Sequence, residues 1–70
     1  MNNLFPSVQQ KIKSFIENNE KNNTPVDVIN ICTYMGLEPK VTLKNLHILL
    51  DNGDVRHKTY GMSSKYLTKL

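Results

Sequence analysis

Thr24 to Val55, TPVDVINICTYMGLEPKVTLKNLHILLDNGDV, is the stretch that decides how this 70-residue chain folds. It divides at Gly36-Leu37 into two helical patterns. In the first, Val28, Ile31, Cys32 and Met35 recur at i, i+3, i+4 and i+7, with Leu37 joining them beyond the turn. Thr24 suits the capping position, Pro25 the first helical position and Asp27 the positive end of the helix dipole, so a helix is predicted over about 25–35. Gly36 can take the left-handed conformation that ends it. Pro39 then opens a second pattern over about 39–52. At about 100° per residue, Thr42, Leu46, Leu49 and Leu50 fall on one inward face. Lys40, Lys44, His47 and Asp51 face outward with Leu43 at their edge, and Val41 and Ile48 form a separate apolar pair. Asn52-Gly53 closes the helix, and Val55 begins an extended segment.

Working outward, Val8, Ile12, Phe15 and Ile16 give one more amphipathic stripe, predicting a first helix over about 7–19 with Ile12, Phe15 and Ile16 buried. Pro6 and Ser7, with Gln10 three residues on, fit its start, and Met1 to Asn3 reads as a frayed end. The asparagine-rich stretch Asn18 to Asn23 reads as an exposed loop. On the other side, residues 54–70 read as a β-hairpin turning within Tyr60-Gly61-Met62-Ser63-Ser64. Alternation places Val55, His57 and Thr59 on one side and Arg56, Lys58 and Tyr60 on the other. With Val55 in the core, Arg56 and Lys58 should face solvent or an anionic partner. Tyr66 and Leu67 are adjacent, so one of them is expected to close the core, and the pattern does not say which.

Length and composition bound what such a chain can do. Seventy residues support one small core and leave little room for a deep active-site pocket, so surface or groove binding is the better expectation. No apolar run approaches the roughly 20 residues needed to span a bilayer, and the N-terminus does not resemble a secretory signal. A cytoplasmic location is expected, or a nuclear one in a eukaryotic host. The single cysteine excludes an internal disulfide framework, and Cys32 with His47 and His57 matches no structural zinc spacing. Cys32 is expected to be a small buried hydrophobe. No nucleophile–base pair, carboxylate pair or phosphate-binding glycine loop can be assembled, so no enzymatic activity, cofactor or small-molecule substrate is expected. The net charge of +3 is unevenly placed. After Pro39, Lys40, Lys44, Arg56, Lys58, Lys65 and Lys69 oppose only Asp51 and Asp54, whereas three lysines and four acids precede it. That asymmetry fits an anionic partner.

Gly36-Leu37, Thr42, Leu46, Leu49, Gly53 and Val55 have the spacing of winged helix-turn-helix DNA-binding domains, and the chain resembles that superfamily from Ser7 to Leu70. The resemblance implies an α+β fold of three helices followed by a C-terminal hairpin wing, as one domain over 1–70. It further implies that helix 3 enters the major groove of double-stranded DNA. Lys40 and Lys44 would then meet phosphates or guanine, Leu43 a thymine methyl group and His47 a base edge. Arg56, Lys58 and Lys65 of the wing would lie on the backbone, and the tip residues Tyr60, Ser63 and Ser64 suit phosphate or the minor groove. The Z-DNA-binding Zα branch pairs an Asn with a Tyr on helix 3. Leu43 and His47 stand at those places, and the chain has no Trp, which argues against that branch. The expected role is a small transcription or replication regulator of phage or plasmid type, with a homodimer on DNA as an option. The alternative is a protein-binding winged helix, with Val41, Leu43 and Ile48 as candidate contacts.

Overall fold

The computed structural model describes residues 7–68. The expected frayed start, the Pro6 helix entry and the last two residues of the expected wing lie outside them. The element order is α1 (Val8–Lys21), α2 (Val28–Met35), α3 (Pro39–Asp51), β1 (Arg56–Tyr60) and β2 (Ser63–Leu67). Three helices are thus followed by an antiparallel hairpin, an α+β layout consistent with a winged helix. Ile12 and Ile16 of α1, Ile31 of α2, and Leu46 and Leu49 of α3 meet in one core with Val26, Val55 and Tyr66. Phe15, Val28, Met35 and Leu50 pack around its margin. The helical members follow the inward stripes that periodicity predicts, except that Phe15, expected to be buried, is only half-buried.

α1 starts as its sequence suggests, with Ser7 Oγ accepting from the Gln10 backbone N–H at 3.1 Å. It ends later than expected. The helix continues through Asn18 and Glu20 to Lys21, so the first part of the asparagine-rich stretch is helical and residues 22–27 connect it to α2. Two side chains account for the extension. Asn19 donates back to the Phe15 carbonyl at 2.9 Å. The Glu20 carboxylate accepts from both the backbone N–H and the hydroxyl of Thr68, each at 2.8 Å.

α2 begins three residues later than Thr24-Pro25 implies. Its N-cap is Asp27, whose carboxylate accepts from the Asn30 N–H at 2.9 Å while the Asn30 side chain accepts from the Asp27 N–H at 3.2 Å. This reciprocal pair satisfies two of the donors that a helix start leaves open. Thr24 and Pro25 stay outside the helix because Val26 is used otherwise. Its carbonyl accepts from the Tyr66 N–H at 2.9 Å, an isolated bridge that adds residue 26 to the free edge of β2. Gly36 ends α2 with φ of 67°, and its N–H and that of Leu37 both donate to the Cys32 carbonyl. Cys32 is only half-buried, not the fully buried small hydrophobe expected. Its neighbour Ile31 holds the centre of the face.

α3 starts at Pro39 as predicted and turns Thr42, Leu46 and Leu49 inward. Thr42 is fully buried, and its hydroxyl has no hydrogen-bond partner within the described residues. The hairpin pairs without a bulge from Arg56↔Leu67 to Tyr60↔Ser63. Its loop is therefore two residues, Gly61-Met62, shorter than the five-residue turn expected, and Ser63 and Ser64 belong to β2. Gly61 has φ of 63° at the first central position, which a type II′ turn reserves for glycine. Tyr66 is the one of the adjacent pair that closes the core, as expected of one of them, and Leu67 is buried as well. They lie on opposite faces of the hairpin. Tyr66 joins the main core and Leu67 does not, so both faces are covered at the hairpin base.

Candidate nucleic-acid interface

The outward side of α3 and the hairpin hold all seven residues assigned from the sequence. Lys40, Leu43, Lys44 and His47 are exposed on α3, with Leu43 40% accessible. The helix is fixed behind them by Thr42, Leu46 and Leu49 in the core and by a polar strut at its flank. In that strut Asn45 donates to the Val41 carbonyl at 2.9 Å and accepts from Gln9 of α1 at 3.0 Å. Among the described residues, neither Lys40 nor Lys44 forms an ion pair. Val41 and Ile48 are exposed as well, packing on neither α1 nor the hairpin enough to be covered.

The hairpin treats its three basic residues differently. Arg56 is half-buried beside the covered base of the hairpin and has a partner within the chain, contrary to the expectation that it faces solvent. Lys58 and Lys65 sit directly opposite each other across the strands. Like charges so placed repel. The repulsion is met from two sides. Lys65 Nζ lies 3.8 Å from the Asp27 carboxylate, and Lys58 Nζ lies 5.4 Å from the Tyr60 ring centre, on its π face. Lys65 is thus half-buried and already paired, while Lys58 remains exposed near the tip. An incoming anion would find Lys58 ready and Lys65 shared. On the other face of the hairpin His57 tilts against Tyr66 with ring centres 5.4 Å apart. Burial raises the Tyr66 phenol above its ordinary value of 10.0.

Two features escape a reading of helical and strand periodicity. Met62, in the two-residue turn at the hairpin tip, is fully exposed. On α2, Ile29 and Tyr34 are exposed, and Tyr34 stacks on Phe15 of α1 with ring centres 4.0 Å apart. The signal for the second was present in the sequence, since VINICTYM contains no charged residue. Among the described residues no cluster of three or more His, Cys, Asp or Glu could hold a metal ion, and no helix is long and apolar enough to cross a membrane. No family model matches the chain, and neither a curated protein nor a solved structure is similar enough to it to indicate kinship.

Proposed function

We propose that this chain is a small DNA-binding protein of the winged helix type. It places α3 in the major groove of double-stranded DNA and rests the hairpin on the phosphate backbone. Its role would be that of a transcription or replication regulator, acting in the cytoplasm or, in a eukaryotic host, the nucleus. The observation that carries the reading is the outward face of α3. Lys40, Lys44 and His47 stand exposed there without ion-pair partners among the described residues, on a helix whose opposite face is anchored in the core. Lys58, exposed near the hairpin tip, adds a second point of attraction for phosphate. The low net charge of +3 limits how much of the affinity can be electrostatic.

Binding to mixed-sequence duplex DNA, followed by fluorescence anisotropy across a salt series, tests this. If all five basic side chains meet phosphates, log K against log salt should fall with a slope of about −4 to −5. If Arg56 and Lys65 stay with their internal partners, the slope should be about −3. Absence of binding at low salt, or a flat slope, overturns the proposal. The second reading, a protein-binding winged helix, is favoured by Val41 at 42%, Leu43 at 40% and Ile48 at 37% exposure on the same helix. It predicts salt-insensitive capture of a partner protein that is lost in Leu43→Asp.

A further inference from the structure

Lys58, Lys65 and Asp27 stand in one row across the hairpin and the segment docked on it. Lys58 of β1 is directly opposite Lys65 of β2. On its other side β2 meets Val26, whose carbonyl accepts from the Tyr66 N–H at 2.9 Å in an antiparallel bridge. That register sets position 27 beside position 65, and the Asp27 backbone is extended there. Lys65 thus lies between a like charge and an opposite one, its Nζ 3.8 Å from Asp27 Oδ2. The carboxylate divides two tasks between its oxygens. Oδ1 accepts from the Asn30 N–H at 2.9 Å and caps α2, while Oδ2 faces Lys65. A cap needs one acceptor, which asparagine or serine supplies as well as aspartate does. The charge on the second oxygen is not needed for that bond, and it falls on a lysine of the candidate DNA surface.

We infer, resting on the DNA contact proposed above, that Asp27 is a positioning residue that limits affinity. It holds Lys65 on the α2 side and keeps it from the phosphate backbone, an internal stand-in for phosphate. Two observations give this contact the right strength. The side chains are 26% and 36% accessible, so the pair is screened by water and open to exchange rather than locked. Lys58 on the far side of Lys65 repels it toward the carboxylate, so the row as a whole favours the internal pairing while no phosphate is near. Lys58 itself, exposed over the Tyr60 ring, is left as the ready cation of the hairpin. The surface therefore meets DNA with one cation fewer than it carries, and removing the Asp27 charge releases that cation to a phosphate. Asp27 does this from outside the surface that touches DNA, since α2 itself has no part in the proposed contact.

The test is a double-mutant cycle of Asp27→Asn and Lys65→Ala, with every chain of the cycle titrated against mixed-sequence duplex DNA across a salt series. Asp27→Asn keeps the capping oxygen and removes the charge. It should tighten binding about threefold to tenfold at about 0.1 M salt and steepen the salt slope by about 0.9, the mark of one added phosphate contact. Lys65→Ala alone should change affinity by less than about twofold, because the parent withholds that lysine. With Lys65→Ala already present, Asp27→Asn should change affinity by less than about twofold and leave the slope as it was. Asp27→Ser, also a capping residue, is a second variant and should repeat the gain. A role in the cap alone would move the urea midpoint and leave the salt slope unchanged, which would overturn the inference. So would an equal gain with and without Lys65, the sign of general charge repulsion, or a Lys65→Ala chain that already loses a full contact. If no chain binds duplex at low salt, the DNA reading falls and this inference with it. Binding by the parent with no coupling between the two positions overturns the inference alone.

Discussion

The two helices on either side of Gly36-Leu37 bury their inner faces in the same way and differ on their outer ones. Ile31 of α2 and Thr42, Leu46 and Leu49 of α3 all vanish into one core. Outside, α3 shows Lys40, Lys44, His47 and Asp51, while α2 shows Ile29, Asn30, Thr33 and Tyr34. The core requires the inner faces and places no demand on the outer ones, so the outer composition is where a role can be written. A basic helix face suits an anionic partner and a neutral one suits a protein surface.

The first way to break this comparison is to show that inner and outer positions are not distinct. Ile31→Ala should cost about 2–5 kcal/mol in urea denaturation, and Leu46→Ala a similar amount, because both leave cavities in a fully enclosed site. Ile29→Ala and Leu43→Ala should stay within about 0.5 kcal/mol. Comparable losses at inner and outer positions would mean the helices are oriented differently. Next in size is the contrast between charges. Lys44→Ala should weaken duplex binding by about fivefold to tenfold, and Lys21→Ala at the end of α1 hardly at all. Equal losses would remove α3 from the contact.

Smaller effects sharpen the picture. Asp27→Ala should cost about 1 kcal/mol by removing the α2 cap, whereas Asp27→Asn keeps an acceptor and should cost only a few tenths. A large loss in the Asn variant would show instead that the pairing with Lys65 dominates. Thr42→Val replaces an unpartnered buried hydroxyl with a methyl group of similar shape and should raise stability by about 1 kcal/mol. A loss there would reveal a partner for the hydroxyl. The least of these concerns Tyr66. Its folded phenol ionises above the unfolded one, so its contribution is whole below pH 10 and fades as pH rises from there toward the folded value. Tyr66→Phe should flatten the decline in stability above pH 10 without changing the neutral-pH profile.

Helix type, order and inward residues were legible because apolar spacing is a local signal that a buried face must obey. The start of α2 was not, and the reason is specific. Thr24-Pro25 and Asp27–Asn30 are both good helix starts by local chemistry. The choice between them is made by Tyr66, which claims the Val26 carbonyl from far along the chain. The fate of Leu67 was hidden for a related reason, since alternation assumes one covered face and the hairpin base has two. In the candidate interface, the presence of Lys65 on the hairpin could be read from the sequence. Its pairing with the same Asp27 that caps α2 could not, as it depends on the docked position of the strand.

The contact between Glu20 and Thr68 joins positions 48 residues apart. Closing a loop of that size has an entropic cost that nothing local offsets, so this contact should form late, after the helices have met and the hairpin has docked. The Thr68 amide would then act as a reporter of completed folding. Amides just past the last pair of a strand usually exchange their hydrogens quickly, but this one, bonded to Glu20, should be slowed to the extent that the whole assembly is closed. Glu20→Ala would release it and let the last strand open from its end, with the helices still in place.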